Sequence, residues 1–211
     1  MIPNGTRFIG IAPEVDLTER GSALLNKRTE PYTIDDIRGY KVFTALLTQS
    51  GEDVPNSLSN MPLTIGVTYQ IDDNGGSNWD FTNVGAPNNN VGTYFIATGT
   101  TPNSWGGENG NLYWNEGAPV ATVLENTIGN VWFSYSDVGL YLVKSDELFI
   151  NNKTICSLSS SLFGGAADFN SNLIFYSSVA ANNEISIISS SGGTYSNDQL
   201  SNTPIEIRVY S

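Results

Sequence analysis

Beyond position 40 the chain is organised by a two-residue alternation of apolar and polar side chains. Leu63, Ile65, Val67 and Tyr69 alternate with Thr64, Gly66, Thr68 and Gln70, the pattern of a half-buried strand. The clearest case lies at 205–210, with Ile205, Ile207 and Val209 on one face and Glu206, Arg208 and Tyr210 on the other. Similar patterning predicts short strands over 81–84, 93–98, 112–114, 120–124, 131–135, 139–143, 148–150, 155–158, 173–177 and 184–188. Gly, Asn, Asp and Ser clusters separate them, as at 72–76 and 86–90, and a Gly/Asn loop over 101–111 carries Trp105. Short strands spaced by roughly 8–12 residues and divided by such turns predict an all-β protein built as a sandwich or barrel.

The first 40 residues read differently. Pro3, Pro13 and Pro31 interrupt them. Asp16 and Glu19 have capping-box spacing, and Leu17, Leu24 and Leu25 share a helical face, which predicts a short helix over 17–26 and a single turn near 33–36. Their apolar surface is too small for a separate core, so the segment reads as an extended arm that orders against a partner. Gly117-Ala118-Pro119 marks a second boundary. The expected organisation is an attachment arm at 1–40, a small β-domain at 41–116 and a C-terminal β-sandwich at 117–211, with jelly-roll-like modules.

Charge sharpens this division. The 211 residues carry 9 Lys and Arg against 21 Asp and Glu, a net charge of −12, with no His and one Cys. Residues 1–41 are neutral, with six basic and six acidic side chains, whereas 42–143 contain no Lys or Arg at all and nine acids. Balanced charge in the arm offers docking residues, Arg7, Arg20, Lys27, Arg28 and Arg38, and the acidic middle faces solvent. Without His, Ser-His-Asp and Cys-His catalysis and imidazole metal sites are excluded. One Cys excludes an intrachain disulfide and a thiolate cluster. An acidic chain is a poor partner for nucleic acid, whose binding rests on neutralised phosphates. No stretch approaches the ~20 apolar residues of a membrane-spanning helix, and the opening lacks a signal-peptide pattern, so no membrane insertion is expected.

Candidate chemistry is sparse. Asp72, Asp73 and Asp80 have the oxygen ligands calcium favours, but Gly76 and Ser77 stand where a calcium loop needs an Asp or Asn followed by Gly, so a solvated turn fits better. Trp79, Trp105 and Trp114 lie in or beside polar loops, where flat rings can stack on sugars while Asn103, Glu108, Asn109 and Asn115 bond their hydroxyls. The competing reading is that these rings seal the edge of a thin core. Trp79 and Trp105 are the candidates for glycan contact, and Trp132, in a strong strand, reads as core. With 21 acids, a carboxylate pair suited to glycoside hydrolysis carries no information. Cys156 reads as a small buried residue, and neither Gly106-Gly107 nor Gly164-Gly165 is followed by the Lys of a phosphate loop. No catalytic, cofactor or metal residue is assigned, and the expectation is a protein that is not an enzyme and needs no cofactor.

Several stretches carry a resemblance. They are Thr6 to Pro13 running on to Val15 to Arg20, Tyr40 to Gly51, Gly85 to Thr93 with Ala97 to Pro102, Val123 to Asn130, and Ile205 to Tyr210. Together they resemble a family of tailed-bacteriophage virion proteins, in order and over most of the chain. The resemblance implies a non-enzymatic structural protein on the exterior of the head or tail, as a head fibre, decoration protein or tail appendage. It implies assembly in the host cytoplasm into the virion, with other capsid or tail proteins as partners, and supplies no motif-defined functional residue. Small β-modules gain core by packing around an axis, so a homo-oligomer, with a trimer as the first expectation, follows from the residues. The alternative function is a carbohydrate-binding module that recognises a host surface glycan.

Overall fold

Strands need partners along their edges and cover for their apolar face, and both requirements shape this molecule. The computed structural model describes residues 38–73, 78–106, 110–158, 176–191 and 193–211. The strands among them are β1 (Tyr40–Thr48), β2 (Pro55–Leu58), β3 (Thr68–Asp73), β4 (Trp79–Asp80), β5 (Tyr94–Ile96), β6 (Ser104–Trp105), β7 (Gly110–Asn115) and β8 (Val120–Asn126). They continue as β9 (Val131–Asp137), β10 (Leu140–Ser145), β11 (Thr154–Leu158), β12 (Tyr176–Ala181), β13 (Glu184–Ile188), β14 (Ser190–Ser191), β15 (Thr194–Tyr195) and β16 (Thr203–Tyr210).

Two four-stranded antiparallel sheets, in the orders β11-β16-β1-β8 and β12-β13-β10-β9, share one apolar core and form a sandwich-like body. β16 shows how alternation builds it. Thr203, Ile205, Ile207 and Val209 are buried while Pro204, Glu206, Arg208 and Tyr210 are half-exposed, as the sequence predicts. Phe43 of β1 meets Phe133 of β9 across the core at 6.0 Å between ring centroids. Ile185 and Ile187 of β13 and Tyr141 and Val143 of β10 complete the opposite wall. Each fully buried side chain of this size contributes about 1.5–3 kcal/mol relative to exposure.

Between β1 and β8 the chain leaves the sandwich and builds a second antiparallel sheet, ordered β2-β7-β3-β5, with the short pair β4-β6 beside it. Leu63, Tyr69, Ile71, Phe81, Phe95 and Leu112 form its core. The insertion is tied back to the sandwich through Gly66, whose carbonyl accepts from Ala121 N at 2.9 Å. Gly66 has φ of +87°, and a Cβ there would lie 2.6 Å from the Ala121 carbonyl oxygen, so the turn requires glycine.

The structure divides the chain differently from the sequence boundary at 116/117. β1 falls within 41–116 but is a central strand of the sandwich, paired with β16 from Tyr40↔Tyr210 to Leu47↔Thr203 and with β8 from Phe43↔Asn126 to Thr48↔Val120. Phe43, Ala45 and Leu47 drive this by burying in the sandwich core. Gly39–Ser211 is accordingly one compact unit. Three predicted strands also differ. Residues 63–67 turn at Ile65-Gly66, leaving Ile65 exposed, and β3 begins only at Thr68. Thr82–Val84 is a 3-10 turn closed by Gly85 at φ of +113°. Residues 148–150 are irregular, although Phe149 is fully buried. The predicted helix at 17–26 and the turn at 33–36 lie outside the described residues, as does 173–175.

Candidate functional site

β9 borders three of the depressions in the described part of the molecule. Period-two geometry turns Val131 and Phe133 to one side of β9 and Trp132 to the other, yet all three belong to the sandwich core cluster. Trp132 is only 8% exposed. Tyr94, delivered by β5 of the insertion, lies flat on it with ring centroids 5.5 Å apart and planes within 6°. Burial of the Tyr94 ring raises its phenol pKa.

The seam is fixed by polar anchors. Asn130 Nδ2 donates to the Tyr94 carbonyl at 3.0 Å and to Asp146 Oδ2 at 3.1 Å. Phe133 N donates to Thr68 Oγ1 at 3.1 Å in a buried position, which occupies part of the β9 edge that another strand would otherwise pair with. Lys144 stands directly across from Trp132 in the β9–β10 ladder, and its ammonium pairs with Glu184 at 3.6 Å.

These elements enclose a depression of about 340 Å³ lined by Tyr94, Trp132, Ser134, Lys144, Asp146 and Asn183, among others. A second depression, of about 220 Å³, adjoins it through Tyr94 and Ser134 and is walled by Tyr113, Trp114 and Tyr135. A third, of about 350 Å³, runs toward Pro87 and Thr93 and shares Tyr94, Trp132 and Asp146 with the first. Tyr94 lines all three depressions, and we refer to this set around the Tyr94–Trp132 stack as the groove. Among the described residues, the buried side-chain polar atoms without a hydrogen-bond partner are Trp132 Nε1 and Ser134 Oγ. Both side chains line the first depression. Buried donors are ordinarily paired, so two unmet ones on one wall mark it as unusual.

The residues singled out from sequence are placed as follows. Trp79 and Trp105 come together as cross-strand partners in the β4–β6 ladder. Both are half-buried against the insertion core, with Trp105 edge-on to Phe81 at 5.3 Å and Trp79 Nε1 donating to the Asn89 carbonyl at 2.9 Å. Asn103 donates to Asp80 Oδ2 at 3.0 Å, so its amide serves the loop. Asp80 also accepts from Thr82 and from Asn89, and these hydrogen bonds hold its carboxyl well below the usual carboxylate range. Asp72 faces Tyr113, whose pKa it raises by its charge and by a hydrogen bond. Among the described residues no group of three His, Cys, Asp or Glu is placed to hold a metal ion. Cys156 is half-buried against the sandwich core. Of the docking residues, Arg38 is exposed, and Arg7, Arg20, Lys27 and Arg28 lie outside the described residues, as do Glu108 and Asn109.

Sequence reasoning read Trp132 as core, and it is a buried member of the sandwich core cluster. What that reasoning missed is that Tyr94 of the insertion stacks on it and that depressions border the pair. The available signal was the run Val131-Trp132-Phe133, three large apolar residues in succession, which a one-sided strand does not need. No family model matches the chain, and no curated protein or solved structure is similar to it at a significant level.

Proposed function

We propose that the chain is a non-enzymatic structural protein of a bacteriophage particle, an exterior head or tail component attached through its N-terminal segment. The observation that carries this reading is the position of β1. The strand that follows directly on residues 1–38 in sequence is hydrogen-bonded on both sides, to β8 and to β16. Load applied through the leading segment would reach the body in a strand held along both edges, which suits an attachment arm. The antiparallel sandwich supports a jelly-roll-like module of the kind exterior virion proteins display, an argument from architecture. The charge partition supports it too, because the neutral arm can dock while the body carries the full −12 from position 42 onward. The outer strands of the first sheet carry exposed apolar residues, Leu124 on β8 at 63% and Ile155 on β11 at 55%. A second copy of the chain would cover them, which fits a homo-oligomer, with a trimer as the proposed state.

Deletion of residues 1–37 tests the attachment. The cut must stop short of Tyr40, whose ring packs at a tilt against Tyr210 with centroids 5.2 Å apart and lies under Arg208. The shortened chain should fold with the same β-type circular dichroism as the parent and be absent from purified particles that contain the parent. Equal incorporation of both chains would contradict the reading.

A further inference from the structure

We propose that the groove centred on the Tyr94–Trp132 stack binds a neutral oligosaccharide. The inference goes beyond a structural role and does not depend on the chain being part of a virion. Four features of the groove select this ligand class.

The first is the pair of unmet polar atoms, Trp132 Nε1 and Ser134 Oγ, on side chains that line the central depression. Both atoms are sealed from solvent, so a ligand meets them only as this wall gives way, and the cost of leaving buried polar groups unpaired favours that completion. The second is the aromatic wall. Tyr94 borders all three depressions, and Tyr113, 44% exposed, stands on the far side of the second. Such rings offer flat apolar faces to the C–H face of a pyranose while the polar rim takes its hydroxyls.

The third feature is charge. Lys144, Asp146 and Glu147 line the central depression together, with Asn183 beside them. An anion would face two carboxylates, and a cation would face the ammonium. A ligand with many hydroxyls, each both donor and acceptor, matches ammonium, carboxylate and amide groups at once. The fourth is shape. The depressions of about 340 and 350 Å³ share Tyr94, Trp132 and Asp146 in their walls, and the one of about 220 Å³ shares Tyr94 and Ser134 with the first. Each of the larger two suits a small ligand, at the lower end of the roughly 300–1,000 Å³ typical of such sites. Neighbouring depressions that share wall residues leave room for more than one sugar ring.

The experiment uses the full chain and a panel of neutral cello-, malto-, manno-, galacto- and N-acetylchito-oligosaccharides, tri- to hexasaccharides. Binding is read by calorimetry and by the indole N–H resonances of the four Trp residues. The expected result is binding by at least one series, with the Trp132 indole resonance shifted and those of Trp79 and Trp105 unmoved. Asn183 lies on an exposed turn, so Asn183→Ala should fold normally and weaken binding about fivefold, as for one lost hydrogen bond. Tyr94→Ala should weaken it at least about tenfold, and Trp79→Ala should leave it unchanged. The proposal is overturned by no binding across the panel, by binding that survives both groove variants, or by a shift at Trp79 or Trp105 instead of Trp132.

Discussion

Gln49 closes β1 into the loop before β16, and replacing it with leucine probes how the end of β1 is tied to β10 and to that loop. The side chain is 2% exposed. Its Oε1 accepts from the Tyr141 hydroxyl at 2.7 Å and from Asp198 N at 2.7 Å, and its Nε2 donates to the Gly51 carbonyl at 3.0 Å. Leucine has a similar size and makes none of these bonds. Tyr141 keeps an acceptor in Asn197 Oδ1 at 3.2 Å, but Asp198 N loses its partner. Two net hydrogen bonds at about 1 kcal/mol each, with about 1–2 kcal/mol more for leaving the part-buried Asp198 donor unmet, give a loss of about 3–4 kcal/mol. The apolar gain of leucine offsets about 1 kcal/mol of it. The expected destabilisation is therefore about 2–3 kcal/mol, or a melting temperature lower by about 4–12 °C for a unit of this size. Urea and thermal unfolding followed by circular dichroism measure it. Tyr141→Phe alone should cost about 1 kcal/mol, and the double variant less than the sum, because both changes remove the same bond. A Gln49→Leu protein that melts within a degree of the parent, or strict additivity in the double variant, would refute the reasoning.

Two further outcomes are expected. Burial pushes the Tyr141 phenol up to about 12, so the unfolded chain loses this proton first as pH rises. The stabilising contribution is complete below the ordinary tyrosine value of about 10 and is lost as pH climbs from there toward 12. Phenolate absorbance should show a late-titrating component that loses one tyrosine's amplitude in Tyr141→Phe, and an undiminished component in that variant would count against the burial argument. Gly66→Ala forces a Cβ to within 2.6 Å of the Ala121 carbonyl oxygen and keeps φ at +87°. A loss of about 2–4 kcal/mol should follow, with faster amide exchange at Ala121, whose N–H bonds to Gly66, and an unchanged exchange rate there would show that the turn adapts freely.

The strands that were legible in the sequence are those with one buried face. β16 and β13 alternate cleanly because one side meets the sandwich core and the other meets solvent. β1 was harder to place, since Val42 and Phe43 are buried in succession and the pattern alone does not say which sheet receives them. The stretch 63–67 has perfect alternation and still turns, because the close approach of Gly66 to β8 outweighs the period. Sandwich-like architecture could thus be read from local pattern, whereas the assignment of β1 across the expected boundary depended on pairing with residues more than seventy positions away. The groove was illegible for the same reason. Tyr94 and Trp132 are separated by a loop, a sheet and a boundary in sequence, and only the docking of the insertion makes them stack.

The proposed display of this chain on the outside of a phage particle is tested most directly by electron microscopy of purified particles, with gold label directed to a tag placed after Ser211. The expected result is label at fixed positions on the outer surface of intact heads or tails. Particles that carry no label while the tagged protein stays free in the lysate would contradict it.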